Sequence, residues 1–315
     1  MPALLLYSVG LVMKILIDLV KHYLQDKILN RGSVLKTITK LIIIYNDALF
    51  GVVLWVGGFN ILYAQFPDMR WYQLLSVFII SSGALFSLNA FKCTAGTPIA
   101  IFTDSLETVF TPNSYFSDKS RSENYSVVFD TIFTYTIIHS LVISTWWGFW
   151  ELENNYILLP CEIVIKDIQA WDSVIIAFLL SVIIFSINKT VKSYYTNNGP
   201  CLSIKLVINL ISLAAFLASL NFWRGIWSLQ DFYFFPSMNL SENLALSHVV
   251  GFLWSVIAGT GMMLTQSSTR DSKEPEYNYC QYWSISGACG HQGDQSSEQS
   301  ASEPTETSPL VVRIL

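Results

Sequence analysis

The segment LIIIYNDALFGVVLWVGGFNILY, residues 41–63, decides the fold of this chain. It carries one charged side chain, Asp47, and is otherwise dominated by aliphatic and aromatic residues. A helix that crosses roughly 30 Å of hydrocarbon needs about 20 mostly apolar residues. The segment therefore predicts a transmembrane helix.

Six further stretches have the same character. Apolar residues make up 52% of the chain and charged residues only 13%, about half the usual share of roughly 25% in soluble proteins. We therefore predict an all-α polytopic membrane protein, with the lipid bilayer as its first partner. Its seven predicted spans cover residues 4–24, 41–63, 71–91, 127–150, 172–188, 204–227 and 246–265.

The first of these spans carries three charges, Lys14, Asp18 and Lys21, in its second half. Such side chains either extend to the membrane surface or face the interior of a bundle. An alternative is that residues 4–24 form an amphipathic helix lying on the membrane.

The predicted bundle occupies residues 1–265, and residues 266–315 form a different kind of segment. This tail is rich in Ser, Glu, Gln, Thr and Gly, so it buries too little apolar surface to fold and is predicted to be disordered. Lys and Arg are concentrated in the loops after the first, third, fifth and seventh spans. Basic loops are retained in the cytoplasm, which predicts a cytoplasmic C-terminus.

The same orientation can be compared with the glycosylation sequons. Asn239 begins the sequon Asn-Leu-Ser in a loop that the charge pattern places outside, so it is a candidate glycosylation site. The sequons at Asn124 and Asn188 fall on the predicted cytoplasmic side, where they would not be used.

Internal similarity is the most informative feature of the sequence. A pattern Trp-x-Gly-x-aromatic recurs near the ends of the second, fourth and sixth spans, and a Pro follows each Gly by ten to twelve residues. We predict a half repeat, residues 1–40, and parallel two-helix repeats at 41–125, 126–200 and 201–265. A full-length relative is expected to have eight spans, of which this chain lacks the first. The motif residues are Trp55, Gly57 and Phe59; Trp146, Gly148 and Trp150; and Trp223, Gly225 and Trp227.

Two interpretations of this motif are open. Its aromatic residues suit the interfacial belt of a membrane protein, and its Gly permits close approach of two helices. The other interpretation is an outward-facing binding surface.

The longest motif copy also indicates a family. The segment WRGIWSLQD, residues 223–231, together with WWGFW at 146–150 and the multi-span layout, resembles the Fuseless family of invertebrate membrane proteins. The resemblance covers about residues 4–265. It implies an eight-span, presynaptic plasma-membrane protein that supports neurotransmitter release by helping to organise voltage-gated calcium channels at the active zone. Partners of this kind, calcium channels or active-zone proteins, follow from the resemblance alone.

Three polar residues lie inside the predicted spans. Asp47 and His139 occupy nearly equivalent depths, and Asn209 lies further from its motif. Ionisable groups in hydrocarbon are costly and usually face a bundle interior or a wet cavity. They indicate either a proton or cation path, and hence a transporter or channel, or a hydrogen-bonded packing pair.

Little else in the sequence indicates chemistry. Arg224 and Asp231 could form an ion pair at the outer surface, which contributes little. The tail residues Cys280, Cys289 and His291 lack a fourth metal ligand. We predict a non-enzymatic protein with no catalytic residues, no metal, no cofactor and no nucleic-acid partner.

Overall fold

The structure is a computed structural model that describes most of the predicted bundle. The described residues are 2–29, 32–67, 70–96, 124–157, 166–198 and 202–230, with positions 99, 109–110, 233, 246, 249–253 and 256–257. The chain divides into a compact unit, Met1–Trp283, which contains all of these residues, and a second unit, Ser284–Leu315. The predicted disordered tail lies outside the described residues.

Every regular element among the described residues is helical, as predicted. Helix α4, residues 124–157, is continuous but contains two π-helical turns, Thr134–Ile138 and Glu153–Ile157. The other long helices are α1 (Ala3–Leu29), α2 (Ser33–Gln65), α3 (Trp71–Ser87), α5 (Lys166–Asn198) and α6 (Leu202–Leu229).

Five of these six helices are long and apolar enough to cross a membrane, and α3, with 17 residues, is a shorter apolar helix. The multi-span character of the chain is therefore confirmed. The predicted seventh span, residues 246–265, lies mostly outside the described residues, so a total of seven stays a prediction.

Helix α1 shows why its charges are compatible with a span. Lys14, Asp18 and Lys21 lie on one helical face and are fully buried, whereas Val12 and Leu16 on another face are half exposed. The charges are spaced by four and three residues, so over two turns the helix directs all three toward the neighbouring helices. The bundle-facing alternative for these side chains is the one that the structure adopts.

Helix α3 ends four residues before its predicted limit at residue 91. Asn89 has a left-handed backbone, with φ of 52°. The Ala90 N–H donates to the Leu85 carbonyl over 2.8 Å, and the Asn89 N–H donates to the Phe86 carbonyl over 3.0 Å. These two hydrogen bonds form a Schellman motif, which ends a helix and reverses the chain.

The described helices pack in sequential pairs. The closest backbone packing joins α1 to α2, α3 to α4, and α5 to α6. An aromatic core lies between the second and third pairs, where the buried ring of Phe216 on α6 is surrounded at centroid distances of 5.7 to 6.1 Å. Its neighbours are Phe78, Phe91, Trp146 and Phe149.

Candidate functional site

The candidate site is a buried network of charged groups around Asp47 of α2. The Asp47 carboxylate is fully buried, and both of its oxygens are paired with ammonium groups of α1. Lys14 Nζ contacts Oδ1, and Lys21 Nζ lies 2.5 Å from Oδ2. One carboxylate therefore holds two lysines.

The network continues through Asp18 to a third helix. Lys21 Nζ lies 2.9 Å from Asp18 Oδ1, and the Tyr135 hydroxyl of α4 donates to Asp18 Oδ2 over 2.8 Å. Two lysines and two aspartates balance in charge. Ionisable groups are tolerated inside a membrane when they are paired and hydrogen-bonded in this way. Because the contacts join residues of α1, α2 and α4, the network ties these three helices together.

Local helix geometry brings these groups to one place. Lys14, Asp18 and Lys21 are spaced by four and three residues, which places them along a single face of α1. Tyr135 belongs to the π-helical turn Thr134–Ile138 of α4. Such turns widen a helix locally and are frequent at functional sites.

His139 follows that π-helical turn directly and adjoins the network. Its side chain is 2% exposed, and neither ring nitrogen has a hydrogen-bond partner within the part of the chain that the structure describes. The imidazole lies 5.6 Å from the Tyr135 ring and 6.3 Å from the Trp55 ring, between centroids. The Lys14 ammonium lies 5.6 Å from the centroid of the same Tyr135 ring, and the Tyr135 hydroxyl donates to Asp18 of the network. The structure therefore brings Asp47 and His139 into one cluster.

The third sequence candidate lies elsewhere. Asn209 has an exposed side chain on α6, next to the exposed side chains of Leu206 and Leu210. The structure does not bring Asn209 to the Asp47–His139 cluster.

The sequence predicts that the charges of α1 can face the bundle, but it does not predict that Lys14 and Lys21 pair with Asp47. Tyr135 is absent from the sequence-based candidates. A signal for it exists, because Tyr135 precedes His139 by four residues and so lies on the same helical face.

The three motif glycines share a packing role. A Cβ atom added to Gly57 would lie 2.4 Å from the backbone nitrogen of Tyr7 on α1. One added to Gly148 would lie 3.1 Å from the Phe78 nitrogen on α3, and one added to Gly225 would lie 3.0 Å from the Val174 nitrogen on α5. Each glycine thus allows its helix to touch the backbone of the preceding helix, as small residues do between membrane helices.

The motif aromatics point in different directions. Trp146 is in the core, 5.4 Å from the Trp55 ring between centroids, and its indole N–H donates to the Thr94 carbonyl over 2.9 Å. Trp227, the last residue of the third motif copy, is half exposed and lies 5.6 Å from the Trp150 ring. A belt position therefore suits Trp227, whereas Trp146 packs inside the bundle.

A second buried ion pair joins α4 and α6 near the motifs. Arg224 Nη1 lies 3.2 Å from Glu153 Oε2, and both side chains are largely buried. Glu153 is presented by the second π-helical turn of α4. The partner proposed from the sequence, Asp231, lies outside the described residues. So do the candidate glycosylation site Asn239 and the tail residues Cys280, Cys289 and His291.

The Fuseless family model matches residues 1–263 of the 315-residue chain. No curated protein matches the chain. No solved structure matches it either.

Proposed function

The chain belongs to the Fuseless family, and from that premise we propose that it is a non-enzymatic protein of the presynaptic plasma membrane. In this proposal it supports neurotransmitter release by organising or localising voltage-gated calcium channels at the active zone. Family membership is the observation that carries the proposal.

The charge network supports a structural role for the bundle. Both oxygens of Asp47 are occupied by lysines of the same chain, and the carboxylate is fully buried. A carboxylate whose two oxygens are both paired with lysines is not available to bind a transported cation. The network instead fixes the position of α1. A protein that organises partners needs a surface that stays constant, and a fixed α1 contributes to such a surface.

The organising role can be tested in neurons that lack the endogenous protein. Expression of this chain should restore both evoked release and the density of calcium channels at release sites, measured by electrophysiology and by immunofluorescence. A chain that reaches the presynaptic membrane and restores neither would exclude this role.

One observation favours a second candidate function, transport of an ion or small molecule. Among the described residues, the buried imidazole of His139 has no hydrogen-bond partner, and it lies beside Tyr135 of the network that contains Asp47. Ionisable groups in this position mark proton and ion pathways in many pumps and transporters. Purified protein in liposomes, assayed with a pH-sensitive dye under an imposed proton gradient, distinguishes the candidates. Flux above that of empty liposomes supports transport, and its absence supports the organising role.

The orientation proposed here places the C-terminus in the cytoplasm and the loop with Asn239 outside. Expression in glycosylating cells should give one glycan shift on a gel, removed by Asn239→Gln. The matched variants Asn124→Gln and Asn188→Gln should leave the shift unchanged, since both sequons face the cytoplasm in this orientation. A shift that survives Asn239→Gln would contradict the orientation.

A further inference from the structure

A second group of buried polar side chains, separate from the charge network, lies between α4 and α6. We call Glu153, Arg224 and Asn221 the polar triad. Glu153 belongs to the second π-helical turn of α4, and Arg224 and Asn221 belong to α6. The three residues are 5%, 6% and 2% exposed. Helical residues three positions apart share a face, so Asn221 lies one turn from Arg224 on the face of α6 that contacts Glu153.

Each member of the polar triad has one polar atom without a hydrogen-bond partner among the described residues. These atoms are Oε2 of Glu153, Nη1 of Arg224 and Oδ1 of Asn221. Oε2 and Nη1 lie 3.2 Å apart as an ion pair, but their orientation does not form a hydrogen bond. The Asn221 amide nitrogen donates to the Leu217 carbonyl of its own helix over 3.1 Å, which leaves the Oδ1 acceptor unfilled.

The three unfilled atoms are complementary in their hydrogen bonding. Nη1 is a donor, whereas Oε2 and Oδ1 are acceptors. A buried ion pair is favourable only where further hydrogen bonds satisfy the remaining protons and lone pairs of both charges. Inside proteins, bound water commonly supplies such bonds, and a buried water makes about three of them. One water molecule, which accepts from Nη1 and donates to both oxygens, would fill all three atoms.

The packing of α4 and α6 leaves space for such a molecule. Among the described helices, α6 packs its backbone closely against α5, whereas it reaches α4 mainly through side chains. One of these contacts joins the rings of Trp150 and Trp227, whose centroids lie 5.6 Å apart. Trp227 is half exposed and follows Arg224 by three residues. The polar triad therefore lies about one helical turn from the surface of the bundle.

We propose that the polar triad is a binding site for a buried water molecule that joins α4 to α6. Nη1 of Arg224 donates to the water oxygen, and the water donates to Oε2 of Glu153 and to Oδ1 of Asn221. The water connects the ion pair to Asn221, so that α4 and α6 are held by a continuous set of hydrogen bonds. This proposal is independent of the proposed function.

Radiolytic footprinting tests the site directly. An X-ray pulse produces hydroxyl radicals from water, and a bound water modifies the buried side chains beside it. The experiment uses the full chain in detergent, with a radical scavenger in the bulk solution, and locates the modified residues by peptide mass spectrometry. Glu153 and Arg224 should be modified although both are buried, because the radicals form next to their side chains.

Two controls separate a bound water from general reactivity. Phe216 is a fully buried ring of α6 with aromatic neighbours, so it should stay unmodified. Asn221→Leu approximately preserves side-chain size and removes one hydrogen bond to the water. It should lower the modification of Glu153 and Arg224 by about fivefold, which corresponds to one hydrogen bond of about 1 kcal/mol. The matched variant Asn209→Leu, on an exposed face of α6, should leave the modification unchanged.

Three results would overturn the proposal. The first is modification of Glu153 and Arg224 that is no greater than that of Phe216. The second is modification that the bulk scavenger abolishes, because it would show that bulk solvent reaches the polar triad. The third is a folded Asn221→Leu variant whose modification stays within about twofold of the parent, well below the loss expected for one hydrogen bond. If Asn221→Leu does not fold, the first two results, obtained on the parent, decide the question alone.

Discussion

Asp47→Asn should destabilise the bundle more than any other single substitution in the charge network. It removes the carboxylate that holds Lys14 and Lys21, and both lysines are fully buried. Removal of one partner from a buried ion pair typically costs about 3–5 kcal/mol, because the remaining charge is left uncompensated. The expected result is a large fall in the thermal stability of the detergent-extracted protein, or failure to accumulate in the membrane.

A second substitution should reverse much of this loss. Lys14→Met in the Asp47→Asn background removes the unpaired ammonium, and Lys21 keeps its 2.9 Å ion pair with Asp18. The network is again charge-balanced, so the double variant should be more stable than either single variant. If the two effects simply add, Lys14 and Asp47 do not act as a pair, and the described network is wrong.

The motif glycines give the second large effect. Gly57→Ala would place a Cβ atom 2.4 Å from the backbone of α1, and backbone cannot move aside without shifting the whole helix. Overpacking of this kind typically costs about 1–3 kcal/mol in soluble cores, and we expect at least that here. Gly148→Ala should be milder, because its closest backbone contact is 3.1 Å.

Gly83 on α3 provides the matched control, since a Cβ atom added there meets nothing within 4 Å. Gly83→Ala should be neutral or slightly stabilising, because alanine is favoured over glycine in a helix by roughly 1 kcal/mol. Thermal stabilities of all variants are compared in one detergent. Close packing at the motif is refuted if Gly57→Ala behaves like Gly83→Ala.

Long apolar segments made the helical bundle predictable, and local chain geometry limited that prediction. The segment 71–91 is mostly apolar and carries no charge, so its composition gave no reason to end α3 before residue 91. The helix ends at Ser87 because Asn89 adopts a left-handed backbone that completes a Schellman motif. Asparagine is one of the residues that tolerate this conformation, but one asparagine in an apolar segment is a weak signal.

The candidate site was predictable in part for a related reason. Asp47 lies ten residues before Gly57, and His139 lies nine residues before Gly148, so the sequence predicts that the two side chains have similar depth in the membrane. The pairing of Asp47 with α1 depends on the register between the two helices. That register follows from close contacts of Gly10 with Leu54 and of Gly57 with Tyr7, which the sequence does not specify. Asn209 lies within a span as predicted, but its side chain is exposed and does not face the cluster. Position along a span does not determine which way a side chain faces.

The most direct test of the central claim uses the charge-balanced double variant, Lys14→Met with Asp47→Asn. Calcium-channel density at release sites is measured in neurons that lack the endogenous protein and express this variant. If the bundle is an organiser held together by its charge network, the folded double variant should restore channel density as well as the unmodified chain does. A double variant that is folded and present in the presynaptic membrane, yet fails to restore channel density, would contradict the account. Such a result would show that Asp47 and Lys14 perform a task beyond holding the helices together.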